Sequence, residues 1–372
     1  MTAKLIRNAY EAVLTTTAVL LSWSAALLVE NLAGLHTDVL VLACALTLTL
    51  AGSQRTADTR RRLTALVLLP VTAGASIFVG RLIASHYPIG AAVYTAGMAL
   101  AIWIRRYGPA ATKAGTLIAL PLVALLVVPG PALPPEAQSG LVTWRWSALI
   151  GALACGTVWL VQGLADRFGP WRPDPAPAPP ARRSPLHPRP STRMAVQMAA
   201  AIAVAFAVGD LLFADHWPWV VLTAYVAASG NRGRTDVLRK GVERLVGALV
   251  GTLLATVVAA AGITGHTAVA LMFTVLAIAL WLRPLNYAYW AAGVTCVLSL
   301  LLGYFGQNAQ HLLPVRLEGI AVGAVLSVAS AWWLLPVRKR TAPGLLRPAR
   351  TASRRPARTL DARGGGSGGG AT

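Results

Sequence analysis

The residues of this sequence that could do chemistry are a few charged side chains within long apolar stretches. Asp210 lies in the stretch AVAFAVGDLLF, and Glu318 follows Arg316 by two residues at the start of another apolar stretch. Arg145 begins a stretch in the first part of the chain, at a place similar to that of Arg316, and Arg244 begins a third. Because a charge is costly inside a membrane, each of these five side chains is a candidate functional residue.

Two kinds of chemistry follow from these residue types. An apolar environment favours the protonated form of a carboxylic acid, which suits Asp210 or Glu318 to carry a proton. The planar guanidinium of Arg fits a carboxylate, which suits Arg316, Arg145 and Arg244 to attract an organic anion. The alternatives are solvated carboxylates at the membrane interface and arginines that extend to the lipid headgroups. Arg316 and Glu318 point to different sides of a helix, so they are not expected to pair.

Polar and aromatic side chains in a later apolar stretch form a second group of candidates. Asn286 and Tyr287 begin this stretch, and Thr295 follows them. Hydrogen bonds and ring stacking would let them bind an aromatic acid, although aromatic residues at such places are more often interface anchors. Gly247 and Gly251 recur at a four-residue spacing that favours close helix packing.

No motif of an enzyme accompanies these residues. The sequence has no GxxxxGK[ST] phosphate-binding loop, no HExxH motif and no GxSxG motif. Its three cysteines form no CxxC pair, and none of its six histidines is paired at a spacing typical of metal sites. The chain is therefore predicted not to be an enzyme and to carry no metal or cofactor. An ion gradient, or the gradient of a substrate, must then supply the energy for any transport.

The apolar stretches themselves predict an all-α polytopic membrane protein. Apolar residues make up 56% of the 372 residues and charged residues 12%, which is about half of the charged share in soluble proteins. A helix needs about 20 mostly apolar residues to cross a membrane. We predict about twelve transmembrane helices, at residues 11–32, 36–52, 63–84, 88–104, 114–129, 142–164, 194–213, 217–229, 242–262, 266–282, 287–304 and 316–336.

The net charge of +20 comes mostly from basic residues on one side of this predicted topology. The opposite side carries mostly acidic residues and histidines. This is the positive-inside pattern, so both termini are predicted to be cytoplasmic. The expected partner of the basic loops is the anionic leaflet of the cell membrane. Nucleic acid is not expected as a partner, because the basic residues are scattered over many loops without a binding motif.

The chain divides into two transmembrane halves and two polar segments. Residues 1–164 form the first predicted half and residues 194–336 the second. Residues 165–193 form a cytoplasmic linker rich in Pro and Arg, and residues 337–372 form a basic, disordered cytoplasmic tail with a Gly-rich end. Similar sequence blocks recur at an offset of about 170–180 residues, and each half has an even number of spans. We therefore predict two parallel six-helix repeats.

The second half resembles a known family in the order and spacing of several short blocks. The blocks are WPWVVLT at 217–223, RT at 234–235, RLVG at 244–247 with GT at 251–252, NYA at 286–288 and RLEG at 316–319. They resemble the fusaric acid resistance or aromatic acid exporter family, closely over residues 194–336 and loosely over residues 8–164. The resemblance implies an inner-membrane, proton-driven exporter of small aromatic or other carboxylic acids. In this chain the linker stands where long members of the family have a sizeable cytoplasmic domain.

Together with the residue chemistry, the resemblance predicts a secondary transporter that exports small organic anions, in particular aromatic carboxylic acids, by proton exchange. In this hypothesis Glu318 or Asp210 carries the proton and the arginines attract the anion. Two alternatives stay open: a passive organic-anion channel, and a membrane scaffold or subunit without transport. Several spans are short, which favours a homo-oligomer.

Overall fold

The computed structural model describes residues 2–33, 38–54, 59–127, 140–170, 190–213, 216–229, 234–263, 265–304 and 309–334. Within these ranges the chain forms twelve α-helices and one short 3-10 helix, and no strand. The predicted all-helical class is therefore confirmed. The predictions for the linker between 171 and 189 and for the tail from 337 onward lie outside the described residues.

Twelve helices follow one another along the described ranges. Their bounds are α1 Thr2–Ala33, α2 Asp38–Gln54, α3 Thr59–Ser85, α4 Tyr87–Trp103, α5 Pro109–Val127, α6 Gly140–Phe168, α7 Pro190–Phe213, α8 Trp217–Ala228, α9 Arg234–Ala260, α10 Gly265–Leu282, α11 Tyr287–Tyr304 and α12 Ala309–Trp333. The 3-10 helix Ile104–Tyr107 follows α4 directly. Each of the twelve predicted spans overlaps one of these helices.

Nine of the helices in the described residues are long and apolar enough to cross a membrane. Three further apolar stretches are shorter, Leu40–Gly52 in α2, Trp217–Ala228 in α8 and Tyr287–Leu301 in α11. A stretch of 12 residues rises about 18 Å, which is less than the hydrocarbon thickness of about 30 Å. The long helices make the chain a multi-pass membrane protein.

Most of the helices begin earlier than their predicted spans, and in α9 and α12 this places basic residues of the candidate site inside the helix. α9 begins at Arg234 rather than at residue 242. Its additional turns contain an ion pair between Arg239 and Glu243, with Nε and Oε1 2.7 Å apart, and a pair at this spacing stabilises a helix. α12 begins at Ala309 rather than at residue 316, so Arg316 lies two turns inside the helix.

The helices of the two halves pack in corresponding pairs. In the first half α1 packs against α2 and α6, α2 against α6, α3 against α5 and α6, and α4 against α5. In the second half the corresponding contacts are α7 with α8 and α12, α8 with α12, α9 with α11 and α12, and α10 with α11. The correspondence is incomplete, because α3 also packs against α4 and α2 against α5, whereas the described residues of α9 and α10, and of α8 and α11, share no such packing. The halves meet where α1 packs against α10 and α4 against α7.

Glycines set the close approach of the helices that surround the candidate site. A Cβ atom on Gly247 of α9 would lie 2.6 Å from the carbonyl oxygen of Ala288 in α11, and one on Gly251 would collide with the carbonyl oxygen of Ala292. The two contacts follow in the same order along both helices, so α9 and α11 run parallel. Only glycine allows this separation, which confirms the predicted packing role of the four-residue spacing.

Glycines also set the close approach of α8 and α12. A Cβ on Gly319 of α12 would lie 3.3 Å from Cβ of Trp219, and one on Gly323 would lie 2.9 Å from Cβ of Thr223. These contacts also follow in the same order, so α8 and α12 run parallel. The helices α8, α9, α11 and α12 form a four-helix cluster that positions the site described next.

Candidate functional site

The centre of the candidate site is the guanidinium of Arg316 in α12. Its side chain is only 3% exposed although it carries a positive charge. Trp219 of α8 covers one face of the guanidinium, with Cζ of Arg316 4.3 Å from the ring centroid. Ser299 of α11 accepts a hydrogen bond from Nη1 at 3.0 Å. Nε has no hydrogen-bond partner among the described residues, so part of the donor edge is left for a ligand.

The acceptor of this hydrogen bond is oriented by α11 itself. The hydroxyl of Ser299 donates to the carbonyl oxygen of Thr295 at 2.8 Å, which directs the oxygen's lone pairs toward Arg316. Thr295 is 4% exposed, and a Cβ on Gly251 would lie 2.9 Å from its Cβ. Thr295, one of the predicted site residues, therefore lies in the wall of the site between α9 and α11.

A second cation, Arg244 of α9, lies beside Arg316. Its Nε donates to Oγ1 of Thr223 at 3.2 Å, and Thr223 is fully buried in α8. α9 packs against α12, and the α8 residues that Arg244 and Arg316 contact, Thr223 and Trp219, are one helical turn apart. In the described part of the chain, neither arginine forms a salt bridge with a carboxylate. The two like charges repel each other, so an anion bound beside them would stabilise the arrangement.

The predicted carboxylates are not part of this cluster. Glu318 follows Arg316 on α12 but its side chain is exposed, as the two-residue spacing predicts for a helix. Asp210 is also exposed, near the end of α7. The structure thus places both candidate carboxylates on exposed surfaces of the chain, outside the buried arginine cluster.

Arg145 differs from Arg316 in its surroundings. It lies near the start of α6, and its side chain is exposed. The structure does not bring Arg145 to the cluster of Arg316 and Arg244.

Asn286 and Tyr287 lie at the start of α11. The side-chain Oδ1 of Asn286 accepts a hydrogen bond from the backbone N–H of Ala288 at 2.9 Å. This is the geometry of a residue that caps the first turn of a helix. Tyr287 lies against Lys240 of α9, with Nζ 5.4 Å from the ring centroid. The structure therefore brings Tyr287 next to a cation and gives Asn286 a structural contact.

Sequence reasoning missed four residues of the cluster. Trp219, Thr223, Lys240 and Ser299 are not among the predicted site residues. The sequence spacing could have pointed to two of these residues, Ser299 and Lys240. Ser299 follows Thr295 by four residues, and Lys240 precedes Arg244 by four, so each pair lies on one face of a helix. Trp219 and Thr223 could be found only from the packing of α8 against α12.

The chemistry available to this cluster is the binding of an anion. Across the described residues, no group of three or more His, Cys, Asp or Glu side chains could hold a metal ion. The donors that remain are the guanidinium groups and hydroxyls named above. A carboxylate fits such donors because its two oxygens accept parallel hydrogen bonds from a guanidinium.

Comparison with known proteins identifies the second half of the chain. Residues 199–330 match a family model described as fusaric acid resistance protein-like. The match includes α8, α9, α11 and Arg316 of α12, and it confirms the resemblance found in the sequence. No curated protein and no solved structure matches the chain.

Proposed function

Because residues 199–330 belong to the fusaric acid resistance protein-like family, which points to a membrane transporter, we propose that the chain is a secondary transporter that exports small organic anions. The substrates are aromatic carboxylic acids, and Arg316 binds their carboxylate. The observation that carries this proposal is the burial of Arg316, at 3% exposure, without a carboxylate partner among the described residues.

The argument rests on the cost of a buried charge. Taking a guanidinium out of water costs several kcal/mol unless other charges or hydrogen bonds compensate for it. Trp219 and Ser299 compensate in part, but Nε has no partner. A substrate carboxylate would supply both the missing acceptor and the missing negative charge. Its ring would suit a site in which an indole already lies against the cation.

The proposed architecture is two parallel six-helix repeats with both termini in the cytoplasm of the cell. The corresponding helix contacts in the two halves support it, as does the reciprocal pair α1–α10 and α4–α7. The short helices α2 and α8 occupy the same place in the two halves. The cytoplasmic orientation rests on the positive-inside pattern of the sequence.

Proton exchange is the proposed source of energy, with Asp210 or Glu318 as the carrier. Both are ionisable side chains on helices long and apolar enough to cross a membrane, where a charged group is costly. Protonation would remove a negative charge from a helix surface at one stage of the cycle, which is the role that carboxylates have in proton-coupled membrane proteins.

A passive organic-anion channel is the second candidate function, and one observation favours it. Asp210 and Glu318 are exposed while Arg316 is buried, and among the described residues neither carboxylate forms an ion pair with Arg316 or Arg244 through which proton binding and anion binding would compete. A channel needs the arginines and no titrating carboxylate.

The test is uptake of labelled benzoate by liposomes that contain the purified protein. The lumen is made acidic and the membrane potential is clamped. Undissociated benzoic acid crosses lipid unaided and collects in the more alkaline compartment, so accumulation in the acidic lumen reports exchange of anion for proton by the protein. We expect accumulation with the wild type, and none with Arg316→Met or with a protonophore.

Controls separate the candidates. Arg167→Met removes an exposed arginine at the end of α6 and should leave uptake unchanged. A channel would carry benzoate in response to a membrane potential and ignore the pH gradient. Asp210→Asn and Glu318→Gln should abolish only the response to the pH gradient if either carboxylate is the carrier. Absence of any flux with the wild type would overturn the transport proposal and favour a scaffold.

A further inference from the structure

We infer that Lys240 and Tyr287 form a second subsite for small aromatic carboxylates, at the end of the four-helix cluster where α9 and α11 begin. We call this pair the vestibule subsite. The inference rests on the proposed anion site at Arg316 and goes beyond it, because it gives the anion a first binding position before it reaches Arg316.

Lys240 is held in place at this end of the cluster. Its Nζ donates to the carbonyl oxygen of Ser229 at 2.7 Å and lies 3.4 Å from the Ser229 hydroxyl oxygen. Nζ also lies 5.4 Å from the ring centroid of Tyr287. Lys240 and Tyr287 are both partly buried, so the ammonium and the ring share a site that is only partly open.

Lys240, Arg244 and Arg316 form a file of cations. Lys240 precedes Arg244 by one helical turn on the same face of α9. The residues that the three cations contact on and just after α8 follow in the same order, Ser229, Thr223 and Trp219. The carboxylate that acts on Lys240 is Glu243, which is already bound by Arg239 at 2.7 Å. The file is therefore net positive and would attract an anion from its Lys240 end.

The two ends of this file have the same chemistry. At one end the ammonium of Lys240 lies against the ring of Tyr287, and at the other the guanidinium of Arg316 lies against the ring of Trp219. An aromatic carboxylate presents an anionic group and a flat ring, which match the cation and the aromatic side chain at each end. Two similar subsites joined by Arg244 also meet a requirement of conduction, that binding be spread over several weak positions rather than held in one tight one.

A purely structural role for Lys240 makes a different prediction. A lysine near the end of a helix stabilises its last carbonyls, and Ser229 directly follows the last residue of α8. The variant Lys240→Gln separates the two roles, because Gln keeps N–H donors for Ser229 and loses the positive charge.

The experiment measures initial rates of benzoate uptake by reconstituted protein over a range of benzoate concentrations and at low and high salt. For Lys240→Gln we expect KM to rise about tenfold with kcat unchanged, the size expected for losing one charged contact with a carboxylate. The increase of KM with salt seen in the wild type should become smaller, because one charge that salt screens is gone. Lys4→Gln, in which an exposed lysine of α1 is replaced, is the matched control and should behave as the wild type.

The ring is tested with a second pair of variants. Tyr287→Leu should raise KM for benzoate and leave KM for cyclohexanecarboxylate, which has no aromatic ring, unchanged. Tyr287→Phe keeps the ring and should behave as the wild type with both substrates.

The possible results are distinguishable. If Arg316→Met abolishes uptake while Lys240→Gln leaves KM and its salt dependence unchanged, the vestibule subsite is overturned and the proposed function stands. If Lys240→Gln lowers kcat or the amount of folded protein without changing KM, Lys240 has only its structural role and the inference also fails. If the wild type carries no benzoate, the proposed function and this inference fall together.

Discussion

Arg316 retains a positive charge inside the protein with only partial compensation from its neighbours. The face of Trp219 and the oxygen of Ser299 offer electron density but no full negative charge. The desolvation of the guanidinium is therefore only partly offset. A buried charge that lowers the stability of the folded state is expected at a functional position rather than at a structural one.

The variant Arg316→Met is expected to separate stability from function. Met has a similar length and no charge, so its burial should raise the free energy of unfolding by about 1 kcal/mol or more. Transport should be lost in the same variant. Thermal unfolding of the purified protein in detergent measures the first effect and benzoate uptake the second. A marked loss of stability would instead make Arg316 part of the structural core.

Asn286 is expected to act through α11 and not through a substrate. Its Oδ1 accepts the N–H of Ala288, so Asn286→Ala should destabilise the protein by about 1 kcal/mol. Asn286→Asp keeps an acceptor and should retain the stability. Unfolding in detergent measures the difference, and uptake per folded molecule should be equal in both variants. A large fall in uptake by the folded Ala variant would show contact with substrate.

At the scale of the elements, the cation file depends on the separation of α9 from α11 and α12. Gly251 brings α9 against the backbone of α11, and Gly323 brings α12 against that of α8. Arg244 and Arg316 reach Thr223, Trp219 and Ser299 only because these helices are so close. The small residues are thus part of the site, although they carry no chemistry.

Gly251→Ala is expected to disturb this separation. The new Cβ would collide with the carbonyl oxygen of Ala292, so α9 must move away, at a cost of about 1–3 kcal/mol. Uptake should fall with stability, because Arg244 lies on the same helix. Unfolding in detergent and benzoate uptake check the two effects.

Gly163→Ala is the matched control for this variant. Gly163 lies within α6, and nothing lies within 4 Å of where its Cβ would be. Ala favours a helix over Gly by about 1 kcal/mol, so this variant should be as stable as the wild type or slightly more so. Equal behaviour of the two variants would contradict the role assigned to the α9–α11 contact.

At the scale of the whole molecule, residues 1–338 form one compact unit in which the two halves contact each other. The indole N–H of Trp281 in α10 donates to the carbonyl oxygen of Leu5 in α1 at 3.1 Å. At the other contact between the halves, where α4 packs against α7, the hydroxyl of Tyr87 in α4 donates to the carbonyl oxygen of Phe206 in α7 at 2.9 Å. Within the described residues, a polar contact thus joins the halves at each of these two helix pairs.

The orientation of this unit in the membrane follows from charge and can be measured with reporter fusions. With both termini cytoplasmic, a fluorescent protein fused after Thr372 should fluoresce, because it folds in the cytoplasm. Alkaline phosphatase fused after Gly262, between α9 and α10, should be active, because it needs the opposite, oxidising side. The reverse pair of results would show the opposite orientation.

The positions of the helices were readable from the sequence, because a membrane imposes one requirement on every span. Each must be mostly apolar, and each predicted span overlaps a helix of the structure, including α2, α8 and α11, whose apolar stretches are shorter than about 20 residues. The family was readable too, because the blocks from Trp217 to Gly319 are local in the sequence. The start of α9 could not be predicted in this way, because its first turns are polar and are stabilised by contacts such as the ion pair of Arg239 with Glu243.

Only the tertiary structure decided which charged residues meet. Arg145 and Arg316 occupy similar places in the sequence, yet one is exposed and the other is 3% exposed. The difference arises because α12 packs tightly against α8 through Gly319 and Gly323, with Trp219 and Ser299 closing over the guanidinium. Burial depends on residues that are 17 to 97 positions away in the chain, so no local pattern around an arginine can determine it.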